Sequence, residues 1–183
     1  CTHVAETAGH IFKKFNYDAH DIELAKIAGY MHDIGNAINR THHAEYGSLL
    51  ANEILRCSDL SAQDRITIVS AIANHDESTG GAVDAISAAL IIADKTDVRR
   101  SRVRQKPKAD FDIHDRVNYA VTDQTLKINA EKRVISLNLQ LDTGICSMYE
   151  YFEIFLGRML MCRGAAELLD ATFKLNANGA KVL

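Results

Sequence analysis

The sequence predicts a mainly α-helical protein with a small α+β region at its C-terminal end. Through the first two-thirds of the chain, apolar residues recur with the 3.6-residue period of an α-helix. From about residue 122 the pattern changes to strict alternation, which is typical of a half-buried β-hairpin. We therefore predict a helical bundle over residues 1–121 and a smaller α+β part over residues 122–183.

Several segments of the first part have helical period, and they cover residues 1–15, 22–34, 43–57, 62–75 and 83–96. The second and the last of these are apolar on nearly every side, so we expect both helices to be central and buried. Asp18 or Asp21 is expected to cap the second helix, and Gly35 to end it. A further short helix, capped by Asp110 or Asp112, is expected before the change of period.

The C-terminal part is predicted to contain a β-hairpin with its turn near residues 130–132, then a long amphipathic helix from Ser147 to about Phe173. Asn178–Gly179 lies between short apolar pieces and predicts a small terminal hairpin. The wide apolar face of the long helix either packs on the helical part or pairs two subunits, so a homodimer is one expectation.

The charge of the chain is unevenly distributed. Residues 99–108 contain six basic and no acidic side chains, and without those six the net charge falls from −3 to −9. This basic run is a candidate nucleic-acid contact, but the acidic remainder and the lack of aromatics within the run weigh against it. The four cysteines form no C-x-x-C pair, and no apolar stretch reaches the ~18 residues of a membrane span. We expect a cytoplasmic protein with free thiols and no membrane partner.

A His–Asp dipeptide occurs at four places in the chain, residues 20–21, 32–33, 75–76 and 114–115. His20–Asp21 is better explained as a helix cap, and His114–Asp115 as part of a solvated surface. His32–Asp33 differs because it follows a helix predicted to be buried. Burying an imidazole beside a carboxylate costs free energy unless a hydrogen-bond partner or a metal compensates. We therefore predict that His32 and Asp33 form the core of a metal site.

Two further ligand candidates lie on neighbouring predicted helices. His3 is on the first helix, and Asp94 ends the apolar segment 83–96. A single carboxylate after a run of aliphatic residues requires a cation nearby. That cation is either a metal ion or a basic side chain such as Lys95.

His3, His32–Asp33 and Asp94, in this order on successive helices, resemble the H…HD…D signature of the HD-domain metal-dependent phosphohydrolases. The phrases HDIGN and LIIADKTD match that family closely, and the resemblance covers roughly residues 1–105. It implies an HD-domain helical bundle in which these four residues hold a divalent metal. It also implies hydrolysis of a phosphate ester, of a nucleotide or a related small molecule, by a metal-activated water.

His43 and His75 are similar to further ligands in those members of the family that hold two metals. Asp33 would then bridge the two ions. His42 is an alternative to His43, and His75 could instead be a histidine that interacts with a helix dipole. Imidazoles and carboxylates without thiolates suit Fe, Mn, Zn or Co better than Mg. The GYP motif of the members that hydrolyse cyclic-di-GMP is absent, because the chain reads DESTGGAV after His75.

We assign catalytic roles to Asp33 and Lys95, where Lys95 either reaches the substrate phosphate or orients Asp94. Arg99 and Arg102 are predicted to bind phosphate at the mouth of the site, unless they pair with acidic side chains instead. The expected partner is a small phosphorylated substrate, a nucleotide. The alternative function is a catalytically silent regulatory module that binds a phosphorylated ligand without turnover.

Overall fold

The computed structural model describes residues 1–103 and 113–183, so the predicted caps Asp110 and Asp112 and the basic residues 104–108 lie outside the described residues. Within those ranges the α-helices are α1 Thr2–Lys14, α2 Ala19–Met31, α3 His43–Leu55, α4 Ala62–Ala73, α5 Ala85–Lys95, α6 Ile113–Ala120 and α7 Met148–Leu168. The strands are β1 Val121–Asn129, β2 Val134–Leu141, β3 Thr172–Ala177 and β4 Ala180–Lys181. The mainly α-helical class with a C-terminal β region is confirmed.

Helix α5 is the central helix of the protein. Every residue from Ile86 to Lys95 is buried, and a capping box between Asp84 and Ser87 fixes the start of the helix. A helix that is apolar all round must be covered on all sides. Helices α1, α2 and α4 pack against α5 from the helical part, and α7 packs against it from the C-terminal part. The last turn of α5 therefore carries Asp94 into the interior.

Helix α2 is less buried than its composition predicts. Only Leu24, Ala25, Ala28 and Gly29 are buried, while Tyr30 is 62% exposed. The prediction of all-round burial was therefore wrong, because α2 packs through its small residues. At Gly29 an added Cβ would lie 2.7 Å from the Cα of a residue in α1. The other apolar side chains of α2, those of Ile22, Ile27 and Met31, are only partly buried at the edge of the core.

The ends of α2 also differ in part from expectation. Asp18, rather than Asp21, caps the helix, because its side chain accepts a hydrogen bond from the backbone N–H of Asp21. The helix ends at Met31, and a 3-10 turn follows over Ile34–Ala37. Gly35 thus lies inside that turn and does not end the helix.

The sheet has the strand order β1-β2-β3-β4. The antiparallel hairpin β1–β2 and the terminal hairpin β3–β4 were both predicted from the sequence, and both are present. Strands β2 and β3 are parallel, which alternation alone does not predict. Parallel neighbours need a long crossover connection, and α7 supplies it. Buried residues of α5, α7, β2 and β3 belong to one hydrophobic core.

In the described ranges, no helix combines the length and apolar character needed to cross a membrane. The four cysteines are free thiols, as predicted.

Candidate metal centre

Several helix ends meet at one place and bring together histidines and carboxylates from distant parts of the sequence. His32 and Asp33 directly follow α2, and His43 is the first residue of α3. His75 lies just after α4, and Asp94 lies in the last turn of α5. The three histidines and Asp94 are buried, while Asp33 is partly exposed. The resulting cluster opens to solvent on the Asp33 side.

Each histidine of the cluster is anchored to backbone in the same way. The Nδ1 atoms of His32, His43 and His75 lie 2.8, 3.0 and 2.6 Å from the carbonyl oxygens of the residues three positions earlier. A carbonyl oxygen only accepts hydrogen bonds, so each Nδ1 carries the proton and donates it. This fixes each ring and directs its Nε2 atom into the cluster, as is usual for metal-ligating histidines.

Asp33 lies between the other groups of the cluster. Its Oδ2 atom is 3.5 Å from Nε2 of His32, and its Oδ1 atom is 3.6 Å from Nε2 of His43. The Nε2 atom of His32 is also 3.5 Å from Oδ1 of Asp94. The Asp33 carboxylate thus lies close to both His32 and His43.

The spacing of the donor atoms fits a metal ion. The Nε2 atoms of His43 and His75 are 3.2 Å apart, and with the proton of each neutral ring on Nδ1 only the two Nε2 lone pairs would face each other there. A cation between them would relieve that repulsion. With metal–ligand bonds of about 2.1 Å, adjacent ligands of an octahedral or tetrahedral ion lie roughly 3.0–3.4 Å apart. Ligand atoms of His32, Asp33 and His75 all lie within 4.8 Å of one another. The cluster could hold a divalent metal.

The charge states of His75 and Asp94 also suit metal binding. Burial lowers the pKa of His75 to about 4, so the ring is neutral at physiological pH. Burial alone would raise the pKa of Asp94, but the charge of Lys95 and the neighbouring His32 hold that pKa well below its usual range. A neutral imidazole and an ionised carboxylate are the forms that bind metals.

Lys95 contacts Asp94 on the side away from the histidines' cluster and belongs to an ionic network that runs from the interior to the surface. Its Nζ atom lies 2.8 Å from Oδ2 of Asp94 and 2.6 Å from Oε2 of Glu77. The other oxygen of Glu77 accepts a hydrogen bond of 2.9 Å from Nε of Arg158 in α7. Of the two predicted roles for Lys95, the geometry favours orientation of Asp94 over contact with substrate. Glu77 and Arg158 carried no signal in the sequence.

We expect Arg158→Gln to weaken metal binding, but by less than the roughly 10–100-fold cost of losing a direct partner of a metal ligand, because Arg158 acts through Glu77 and Lys95. Without Arg158, Lys95 is the remaining cation beside Glu77. The ion pair between Lys95 and Asp94 changes as a result. Titration with Mn²⁺ measures the affinity. The matched control is Arg163→Gln, an exposed arginine on the same helix, which should leave the affinity unchanged. Partial rescue by Arg158→Lys is expected, and equal affinities in all variants would contradict the prediction.

Two groups at the cluster were missed from the sequence. Asp76 places its Oδ2 atom 3.5 Å from Nε2 of His43, and Asn36 donates a hydrogen bond of 2.8 Å to Oδ1 of Asp33. The His–Asp dipeptide at residues 75–76 was a signal for Asp76. Asn36 stood in a predicted loop, where its residue type alone had no diagnostic value.

The structure distinguishes the two adjacent histidines at the start of α3. His43 is buried and points into the cluster, whereas His42 is exposed and its Nδ1 atom lies 3.7 Å from Oε1 of Glu45. His43 is therefore the histidine that the fold brings to Asp33 and His75.

His3 is not brought to the cluster. Its exposed side chain lies among Asp97, Arg99 and Arg102, and no contact joins it to a cluster residue within residues 1–103 and 113–183. His3 lies in the first turn of α1, beside Thr96 and Arg99 of the segment that follows α5.

The two predicted phosphate-binding arginines are partly engaged by the protein. Arg99 forms a bidentate ion pair with Asp97, in which Nε and Nη2 donate hydrogen bonds of 2.6 and 3.1 Å to the two carboxylate oxygens. Arg102 donates 2.7 Å to the backbone oxygen of Asp97, and its Nη1 atom lies 3.9 Å from Oδ1 of Asp94. Arg102 therefore borders the cluster, whereas Arg99 points away towards Asp97. A third arginine, Arg40, lies 3.9 Å from Oδ1 of Asp33 and is largely exposed.

Gly35 allows the segment after α2 to approach α3 closely. A Cβ atom on Gly35 would lie 2.0 Å from the backbone oxygen of His43 and 2.5 Å from the backbone nitrogen of Gly47. Because the obstacle is backbone, the clash cannot be relieved by a rotamer change. The glycine therefore keeps Asp33 and His43 within reach of the same ion.

We expect Gly35→Ala to destabilise the fold by about 1–3 kcal/mol, as overpacking does, and to weaken metal binding because α3 must move away. Urea unfolding and Mn²⁺ titration measure the two effects. Gly81→Ala is the control, because a Cβ atom there meets nothing within 4 Å. If Gly35→Ala and Gly81→Ala have the same stability and the same Mn²⁺ affinity, the close approach of the two segments contributes to neither property.

A cluster of histidines and carboxylates at the ends of several helices is typical of metal-binding helical domains. Comparison with known protein families identifies which of these domains the chain contains. Residues 1–117 match the HD domain. The chain therefore belongs to the HD domain family, whose members bind divalent metals and are generally metal-dependent hydrolases. No curated protein matches the chain.

Proposed function

We propose that this protein is a metal-dependent phosphohydrolase that cleaves a phosphate ester of a nucleotide or a related small molecule. The observation that carries the proposal is the set of three backbone-anchored histidines that gather around Asp33, with Asp94 beside His32. Membership of the HD domain family supports it.

In the proposed site, His32, Asp33 and Asp94 hold one divalent ion, and His43, His75 and the bridging Asp33 hold a second. Asp76 lies close enough to His43 to support the second position. His3 is left out of the proposed ligand set because of its place on α1. The donor set of imidazoles and carboxylates suits Fe, Mn, Zn or Co.

Bound metal would supply an activated water near neutral pH and positive charge for the phosphate oxygens. The side chains of the protein do the remaining work. Asp33 holds the two halves of the site together, and Lys95 keeps Asp94 ionised and oriented. Arg40 and Arg102, at the edge of the cluster, can donate hydrogen bonds to a phosphate.

A regulatory module that binds a phosphorylated ligand without turnover is the second candidate. It is favoured by the engagement of basic side chains near the cluster. Lys95 is held by Asp94 and Glu77, and Arg99 by Asp97, which leaves fewer cations to stabilise a reacting phosphate.

The test combines metal analysis with an assay of phosphate release. Metal bound to the purified protein should be found at about two ions per chain, and with Mn²⁺ or Fe²⁺ the protein should release phosphate from members of a nucleotide panel. Thermal stabilisation by a nucleotide without product would select the regulatory module instead. Absence of bound metal after incubation with Mn²⁺, Fe²⁺, Zn²⁺ and Co²⁺ would contradict both.

A further inference from the structure

A cleft with a volume of about 780 Å³ lies between α1, the first turns of α2, the segment after α5 and strand β1. Its size is in the range of small-molecule sites. The cluster residues His32, Asp33 and Asp94 do not line it. His3 and Arg99, which sequence analysis placed at the metal site, both do.

The cleft runs along one face of α1. The lining residues His3, Thr7, His10 and Lys13 recur every three to four positions, which places them on one side of the helix. Ten residues separate the first from the last, so the face is about 15 Å long at 1.5 Å per residue. Arg99 lies near the His3 end, while Lys13 marks the other.

The walls of the cleft are predominantly basic. His3, His10, Lys13 and Lys26 line it, as does Arg99, whose charge is paired with Asp97, and the lining holds a single carboxylate, Glu6. Lys13 has no carboxylate partner among the described residues, and Lys26 has only an exposed pair with Glu23, at 3.2 Å. Such exposed pairs are weak, so these ammonium groups remain available to an anion.

The floor of the cleft is suited to the organic part of a ligand. Ile22 and Leu126 supply apolar surface beside Thr125 and Gln124 of β1. The Oε1 atom of Gln124 is buried and has no hydrogen-bond partner within the described part of the chain. A buried acceptor without a partner costs free energy, and a small rotation of the partly buried Gln124 side chain would present it to a hydroxyl or amino group of a ligand. A basic surface that only contacts solvent would have neither an apolar floor nor a buried acceptor without a partner.

We propose that this cleft binds an organic phosphate, with its phosphate groups on the basic walls and its organic part over Ile22 and Leu126. Lysine side chains bind phosphate as point charges, and several of them favour a ligand with more than one negative charge. The site goes beyond the proposed phosphohydrolase function, because it would bind its ligand without metal.

The test is isothermal titration calorimetry on the metal-free protein, with ADP and ribose 5-phosphate as probes. Wild type should bind ADP, the more highly charged probe, more tightly. The double variant Lys13→Gln/Lys26→Gln should bind it at least tenfold more weakly. Lys14→Gln is the control for the change at Lys13, since it removes one lysine charge one residue further along α1 without lining the cleft. Gln124→Leu should also weaken binding, because it removes the acceptor from the floor.

The experiments distinguish a wrong proposal for the cleft from a wrong proposed function, because the two give different results. If neither probe binds to metal-free wild type, or if the double variant and Lys14→Gln bind ADP equally well, the cleft proposal is wrong. Either result leaves the metal content and phosphate release of wild type unaffected. Conversely, ADP binding to the cleft would persist in a protein that releases no phosphate.

Discussion

Replacing Asp33 with alanine is expected to remove metal binding and to lower phosphate release by more than about 100-fold. Losing a partner behind a metal ligand already costs about 10–100-fold in affinity or activity, and Asp33 is itself a proposed ligand. It is also the carboxylate that lies near both His32 and His43, at 3.5 and 3.6 Å. Its loss therefore affects both proposed metal positions. Metal content per chain and the rate of phosphate release measure the effect.

The His–Asp dipeptide at the start of α2 provides the control for this experiment. Asp21→Ala removes an aspartate from an equivalent dipeptide, but that aspartate lies in the first turn of the helix. Its removal should cost only about 0.3–1 kcal/mol of stability through the helix dipole, with metal content and rate unchanged. An Asp33→Ala protein with the metal content and rate of wild type would refute the proposed site.

Replacing Lys95 with methionine is expected to destabilise the protein by about 3–5 kcal/mol at neutral pH. Removing one partner from a buried ion pair leaves the other charge without compensation, and here two carboxylates lose their shared cation. Methionine has a similar volume, so the loss of stability reports the missing charge and not a cavity. Urea unfolding gives the free energy. In the control Lys26→Met, the exposed pair with Glu23 is lost at a cost of about 0–1 kcal/mol.

The effect of Lys95→Met should decrease in acid, and the sign follows from the pKa of Glu77. Burial alone would raise that pKa, but Lys95 and Arg158 lower it to about 2 from an ordinary value of 4.5. A depressed pKa stabilises the fold above the ordinary value, and this contribution is lost as the pH falls towards the folded-state pKa. The two proteins should therefore converge in stability between pH 4.5 and 2. A constant difference over that range would show that Glu77 contributes little.

Helix positions could be predicted well from the sequence, because periodicity reports burial directly. The run from Ala85 to Ala93 predicted a central helix, and α5 is central. The choice of His32–Asp33 used a partly mistaken premise, since α2 is buried on one face only. The dipeptide lies in the interior because the chain turns there beneath α3, where Gly35 permits close contact.

The remaining groups of the site could not be predicted, because they depend on how helices are rotated and paired. The rotation of α1 decides which residues His3 contacts, and a helical period without partner contacts does not fix that angle. Glu77 and Arg158 meet across 81 residues of sequence, in a pairing that follows from α7 packing on α5. Neither residue type is diagnostic of an ion pair when seen alone.

The parallel pairing of β2 with β3 has a consequence for how the chain completes its fold. Because α7 is the crossover between these strands, its position on α5 is tied to the strand that follows it. Without α7, α5 would have an uncovered apolar side and Glu77 would lack Arg158. The support of Asp94 therefore depends on a helix that follows all the cluster residues in the sequence, so a chain cut after residue 147 would keep every cluster residue and lose the arginine behind Glu77.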